Sequence, residues 1–161
     1  MSFVRQVSRL LDNEHRAQLS LLGQVEQGLA RPLGAGDAGL APLLRQLTQQ
    51  LGHDVERHFV FEEELLFPRL ADNGDGGMAA LLAEEHAVIR EVAAELQPLA
   101  HAAAEGALDA AGWRTLSQTA LELVERQVSH IQKETMALLP LLDQLLDDEA
   151  DRELAMAYAD G

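Results

Sequence analysis

The sequence predicts an all-α protein, an up-down-up-down antiparallel four-helix bundle, and three observations predict it. Leu and Ala dominate a chain of 161 residues in which 47% are hydrophobic and only 4% aromatic, a composition that suits packed helices more than sheets. Apolar residues recur at alternating steps of three and four along several long stretches, the period of a helix with one buried face. Clusters of Gly and Pro cut those stretches into four, and helices joined by short or moderate loops pack antiparallel to their neighbours. A chain of this length buries one substantial core, so a single bundle domain is expected over residues 1–147.

The first helix is predicted from about Phe3 to Leu29, with Val4, Ser8, Leu11, His15, Gln18, Leu22, Val25 and Leu29 on its inward stripe. "ARPLGAGDAG" ends it, because Pro and three Gly in ten residues cannot continue a helix. The second runs from about Leu40 to Leu70, with Asp37 as its cap and Pro42 in the first turn, where a missing N–H costs little. "DNGDGG" is a turn. The third helix is expected from about Met78 to Ala104, bent at Pro98 and ended by Gly106. Asp109 caps the fourth, which runs to about Leu146 with Leu116, Ala120, Leu123, Gln127, His130, Glu134, Ala137 and Leu141 facing inward. The remaining residues 148–161 read as an acidic tail or a short C-terminal helix.

The inward stripes carry polar residues near their middles, and those residues repeat. "HFVFEEELLFP" holds His58, Glu62 and Pro68; "HIQKETMALLP" holds His130, Glu134 and Pro140, each 72 residues later. Upstream stand Glu14-His15 and Glu85-His86, 71 apart. His and Glu at i and i+4 differ by about 40° around a helix, so both project from one face. Two such helices facing each other, with His15 and His86 from the other two, would bring four imidazoles and two carboxylates to one buried point. A single histidine on an apolar stripe is more often a core group bonded to a carboxylate. Six positions repeated in one order are not explained that way, since unpaired buried polar groups cost on the order of 1–3 kcal/mol each.

The neighbours are expected to differ in role. His53 lies about 140° around the helix from His58, and His101 is near the end of the third helix, so both are expected at the surface. Of Glu62, Glu63 and Glu64 only Glu62 is in register with His58. Glu14 and Glu85 point about 100° away from the adjacent histidines, as solvated groups or as hydrogen-bond partners of an imidazole on another helix.

Imidazole and carboxylate without thiolate suit iron, manganese or zinc, whereas Ca and Mg prefer oxygen shells. Six protein donors exceed what one tetrahedral zinc takes and match two metals, each with two His, bridged by two Glu. The chain has no cysteine, which excludes disulfides, thiolate ligands and iron–sulfur clusters built from its own residues. A net charge of −15 disfavours attachment to nucleic acid or anionic membrane, and no apolar run approaches the roughly 20 residues a membrane helix needs. The amphipathic N-terminus contains the first candidate ligand and is not read as a signal peptide, so a cytoplasmic protein is expected.

With these motifs in this order, the chain resembles the hemerythrin-like family, the HHE cation-binding domains, from His15 to Glu134. The resemblance implies two non-haem iron ions with a solvent-derived oxo or hydroxo bridge, His15 and His58 on one, His86 and His130 on the other, and Glu62 and Glu134 bridging. Oxygen-carrying members have His-x-x-x-His in the third helix; here the second position is Arg90, which cannot ligate a metal. The carriers' terminal Asp in the fourth helix is Glu134 here. Four His and two Glu are similar to the ligand set of di-iron proteins for iron–sulfur cluster repair and of some iron- or oxygen-sensing domains. The repair proteins carry a further N-terminal cysteine-bearing domain that is not in this sequence. The leading expectation is a di-iron protein that binds or reacts with O2, peroxide or NO at an open iron position. The alternatives are an iron- or oxygen-responsive sensor and a repair protein; the sequence identifies no protein partner.

Overall fold

The computed structural model describes residues 2–30 and 39–161. Among them the chain forms five helices: α1 (Gln6–Leu29), α2 (residues 40–72), α3 (Gly76–Ala104), α4 (residues 110–145) and α5 (Asp148–Asp160). Each of the first four packs on its sequence neighbour and α4 returns to α1, which closes an antiparallel bundle. The expected Asp37 cap lies outside the described residues. Asp109 does cap α4, accepting from Gly112 N at 2.7 Å. Gly74 and Gly106 hold φ of +93° and +68°. Each closes the end of a helix by paired bonds: Asp75 N to Leu70 O (2.8 Å) with Gly74 N to Ala71 O (3.1 Å), and Ala107 N to Ala102 O (2.9 Å) with Gly106 N to Ala103 O (3.1 Å). α3 runs through Pro98 without interruption.

α1 starts later than its pattern suggests. Val4 precedes the helix and is 74% exposed, while Phe3 and Val7 are buried in its place. α1 has no side-chain cap of its own. Asp143 of α4 instead accepts from Val4 N and Arg5 N at 2.8 and 2.9 Å, and Asp151 of α5 from Gln6 N and Val7 N at 2.9 and 3.0 Å. These carboxylates satisfy donors that a helix start leaves without partners, and they fasten α5 against α1. Asp147 caps α5 through Ala150 N at 2.8 Å.

α2 and α4 each widen into a π turn, at Glu62–Leu66 and Glu134–Leu138, and Pro68 and Pro140 stand two residues beyond. Proline has no N–H to offer the carbonyl four residues back, and its ring collides with it. A wider turn relieves both problems. The added residue moves the inward face by one position, so in α4 Leu138 and Leu142 are buried where the simple helical phase places Ala137 and Leu141. A third π turn, Leu51–Val55, has no proline behind it, and nothing in the sequence explains it.

The core has two apolar parts. One contains Leu22, Val25, Leu44, Leu96, Leu116 and Leu123; the other contains Leu11, Leu66, Leu82, Leu138 and Leu142, joined by Leu154 and Tyr158 of α5. The polar residues of the stripes lie between them. Among the described residues no helix is long and apolar enough to cross a membrane.

Candidate metal centre

His15 of α1, His58 and Glu62 of α2, His86 of α3, and His130 and Glu134 of α4 meet between the two apolar clusters, each at most 2% exposed. Donor atoms of Glu62, His86, His130 and Glu134 lie within 4.8 Å of one another, as do those of His15, His58 and Glu134. All six side chains singled out in the sequence are therefore brought together. His53 and His101 are not among them; their side chains are 82% and 75% exposed.

The carboxylates sit between two pairs of imidazoles. Glu134 Oε1 is 2.9 Å from His15 Nε2 and 3.6 Å from His58 Nε2, while its Oε2 is 3.2 Å from His130 Nε2 and 3.7 Å from His86 Nε2. Glu62 Oε1 is 3.3 Å from both His58 Nε2 and His86 Nε2. One carboxylate thus turns one oxygen to each pair, and the other spans the pairs with a single oxygen.

The residues fit a metal on the protein's own chemistry. His58 Nε2, both Glu62 oxygens and Glu134 Oε2 are buried without a hydrogen-bond partner among the described residues. Unpaired polar atoms are costly in an apolar interior. His86 Nε2 and His130 Nε2 approach to 3.1 Å. Their Nδ1 atoms donate outward to carboxylates, so both Nε2 atoms turn inward. Cations between these nitrogens and the glutamates would satisfy the unpaired oxygens, and the donor set excludes none of iron, manganese or zinc.

Outward-facing partners orient the rings. His58 Nδ1 donates to Glu14 Oε2 (2.8 Å), His130 Nδ1 to Glu85 Oε1 (2.8 Å) and His86 Nδ1 to Glu63 Oε2 (2.7 Å), while His15 Nδ1 lies 3.1 Å from Thr135 Oγ1. Such partners fix the tautomer and raise ligand basicity. Glu14 and Glu85 thus reach imidazoles on neighbouring helices, one of the two roles the sequence left open. Glu63 and Thr135 were not singled out. Their signal was present: each directly follows a candidate bridging glutamate, and they are 72 residues apart.

Arg90 turns away from the centre. Its guanidinium bonds both oxygens of Glu56, at 2.9 Å for the shorter contacts, and Glu63 Oε2 at 2.9 Å, over the face of Phe59. Phe59 in turn stacks on His86 at 3.8 Å. Burial raises the Glu63 pKa, but Arg90 and His86 outweigh it and hold the carboxylate below its ordinary value. Burial pulls the His86 pKa down, yet the Glu134 and Glu62 carboxylates raise it to about 9. Burial opposes ionisation of Glu134 too, and the surrounding histidines, His130 foremost, still push its pKa well down. Protons therefore occupy these imidazoles when no metal does, and a metal must displace them.

An antiparallel bundle with a buried imidazole–carboxylate cluster across all four helices defines a cation-binding bundle. The chain matches the Hemerythrin HHE cation binding domain over residues 6–142, and it belongs to that family. No curated protein matches it. Family and cluster together point to metal binding, typically of iron.

Proposed function

We propose that the chain is a non-haem di-iron protein that binds or reacts with O2, peroxide or NO at an iron position the protein leaves unfilled. In this reading His15 and His58 would hold one iron and His86 and His130 the other, with Glu62 and Glu134 shared between them. The observation that carries it is the placement of Glu134, with one oxygen toward each imidazole pair. A single-metal site has no use for a carboxylate that addresses two separate pairs.

Bound iron supplies redox chemistry and an open coordination position; the chain supplies geometry and exclusion of water. Glu14, Glu63 and Glu85 hold three imidazoles with Nε2 turned inward. The apolar clusters beyond the site on either side lower the local dielectric, which strengthens the attraction between carboxylates and cations. Arg90 stands where a fifth histidine would sit, and its guanidinium, which cannot ligate a metal, engages Glu56 and Glu63 instead. The missing imidazole favours reaction with the small molecule over reversible carriage of oxygen.

The test is a metal assay and optical spectrum of anaerobically purified protein, followed by exposure to O2, hydrogen peroxide and NO. The reading expects iron and a spectral change with at least one of the three. A reversible change supports binding and steady turnover supports an enzyme. Loss of helical structure on iron removal, without reaction, supports a sensor instead. Bound zinc and no iron after anaerobic reconstitution contradicts the proposal.

A further inference from the structure

The centre has two unlike sides. Glu62 and Glu134 each follow their histidine by four residues in α2 and α4, which run in the same direction, so both carboxylates approach from the side of Leu66 and Leu138. The opposite side is covered by residues one turn from the histidines: Gln18 in α1, Val55 in α2, Ile89 in α3 and Gln127 in α4. In the repeat Gln18 corresponds to Ile89 (18 + 71) and Val55 to Gln127 (55 + 72). The cover is therefore polar along α1 and α4 and apolar along α2 and α3.

Two buried amides are out of place in a Leu-rich layer. Gln18 and Gln127 are 4% and 1% exposed. Gln127 Nε2 donates to Gln18 Oε1 at 3.0 Å, but Gln127 Oε1 is buried with no partner among the described residues. That oxygen needs a donor, and none of the described residues brings one. A cleft of about 300 Å³ between α2 and α3 reaches this same side, with Val55, Phe59 and Ile89 in its wall. The Phe59 ring in that wall stacks on His86 at 3.8 Å.

We infer that the Gln18–Gln127 pair is a hydrogen-bonding site for a small hydroxylic ligand on the carboxylate-free side of the centre: water at rest, and hydrogen peroxide as the reacting molecule. This rests on the di-iron reading above and narrows its substrate class. Water and hydrogen peroxide each carry an O–H for Gln127 Oε1 and an oxygen for the amide N–H groups. O2 and NO carry no donor, so the pair favours peroxide over both.

The test compares the iron-loaded full chain with Gln127→Met and Gln18→Met, which keep side-chain length and remove the amide. Iron content should stay unchanged, and so should NO affinity in an anaerobic optical titration. The hydrogen peroxide concentration for half-maximal reaction should rise about tenfold, the size of one lost hydrogen bond. An unchanged half-saturation, or NO affinity falling in step with it, overturns the inference. A second measurement needs neither variant nor metal. In 15N-labelled metal-free protein the side-chain amides of Gln18 and Gln127 should show magnetisation transfer from a long-lived buried water. Absence of that signal overturns the inference as well. Iron-free purified protein sinks the di-iron reading alone, while the water signal still reports on the pair.

Discussion

The half of the molecule formed by α1 and α2 and the half formed by α3 and α4 present the same donors to the centre and support them differently. Glu14 and Glu85, one residue before His15 and His86, reach across to His58 and His130 in the same way. The match ends at Glu63 and Thr135. His86 is backed by a carboxylate that Arg90 also grips, whereas His15 is backed by a hydroxyl. A carboxylate behind an imidazole makes it a stronger donor than a hydroxyl does. The two halves bring the same inward residue types to the site, while their outer contacts diverge, and through those contacts the two imidazole pairs become unequal.

The largest effect should come from the residue that serves both halves. Glu134→Ala is expected to abolish most metal binding at both positions, because it removes an oxygen from each imidazole pair. His58→Ala should cost about half of the bound metal and His53→Ala none, since the His53 side chain is 82% exposed. Elemental analysis of the three variants checks this, and equal losses from the two histidines would contradict it.

Removing the metal leaves both halves with buried charge and should lower the melting temperature. The metal-free protein should also acquire a pH dependence. His86 titrates near 9 in the fold against an ordinary 6.5, so its stabilising contribution is full below 6.5 and lost as pH rises through about 9. Glu134 titrates below its ordinary 4.5, so its contribution is present above that and lost in acid. Thermal melts across pH should therefore show the metal-free protein most stable between about 4.5 and 6.5. A flat profile would mean that the cluster is satisfied without metal.

The asymmetry itself is open to exchange. Glu63→Gln should weaken metal binding on the His86 side by roughly 10–100-fold, as loss of such a partner does, whereas Thr135→Glu should tighten the His15 side. Calorimetric titration of metal-free protein with cobalt(II) reads both; the same response in each variant would show that the outer contacts do not distinguish the halves. Arg90→His should add a third imidazole beside His86 and His130 and shift reactivity from peroxide toward reversible oxygen binding, seen in the optical spectrum. The smallest effect falls at the start of the first half. Asp151→Ala should cost about 1–2 kcal/mol by freeing two N–H groups of α1, measured by denaturant unfolding.

The six residues of the centre were legible because they lie on helical faces and recur at 71 and 72 residues, which needs only local geometry. The bundle was legible from the same period and from its breaks. Most of what depended on one helix meeting another was not, and for Glu14 and Glu85 a partner on another helix was one of two open readings. Glu63 looks solvated from its own helix and becomes a partner of His86 only once α3 is beside it. Glu56 holds Arg90 for the same reason. Asp143 and Asp151 cap a helix start well over a hundred residues away, where no local cap pattern exists. The one-residue error at Ala137 arose from the π turn, and Pro140 was its signal. A proline behind an inward-facing stripe warns that the phase beyond it will move.

The central claim, two irons held by two imidazole pairs that share their carboxylates, is tested most directly by iron content per chain after anaerobic reconstitution, read together with a Mössbauer spectrum. The account predicts about two irons per wild-type chain in two resolved environments, since Glu63 and Thr135 make the positions unequal. One tightly bound zinc with no iron, or a single iron in a single environment, would contradict it.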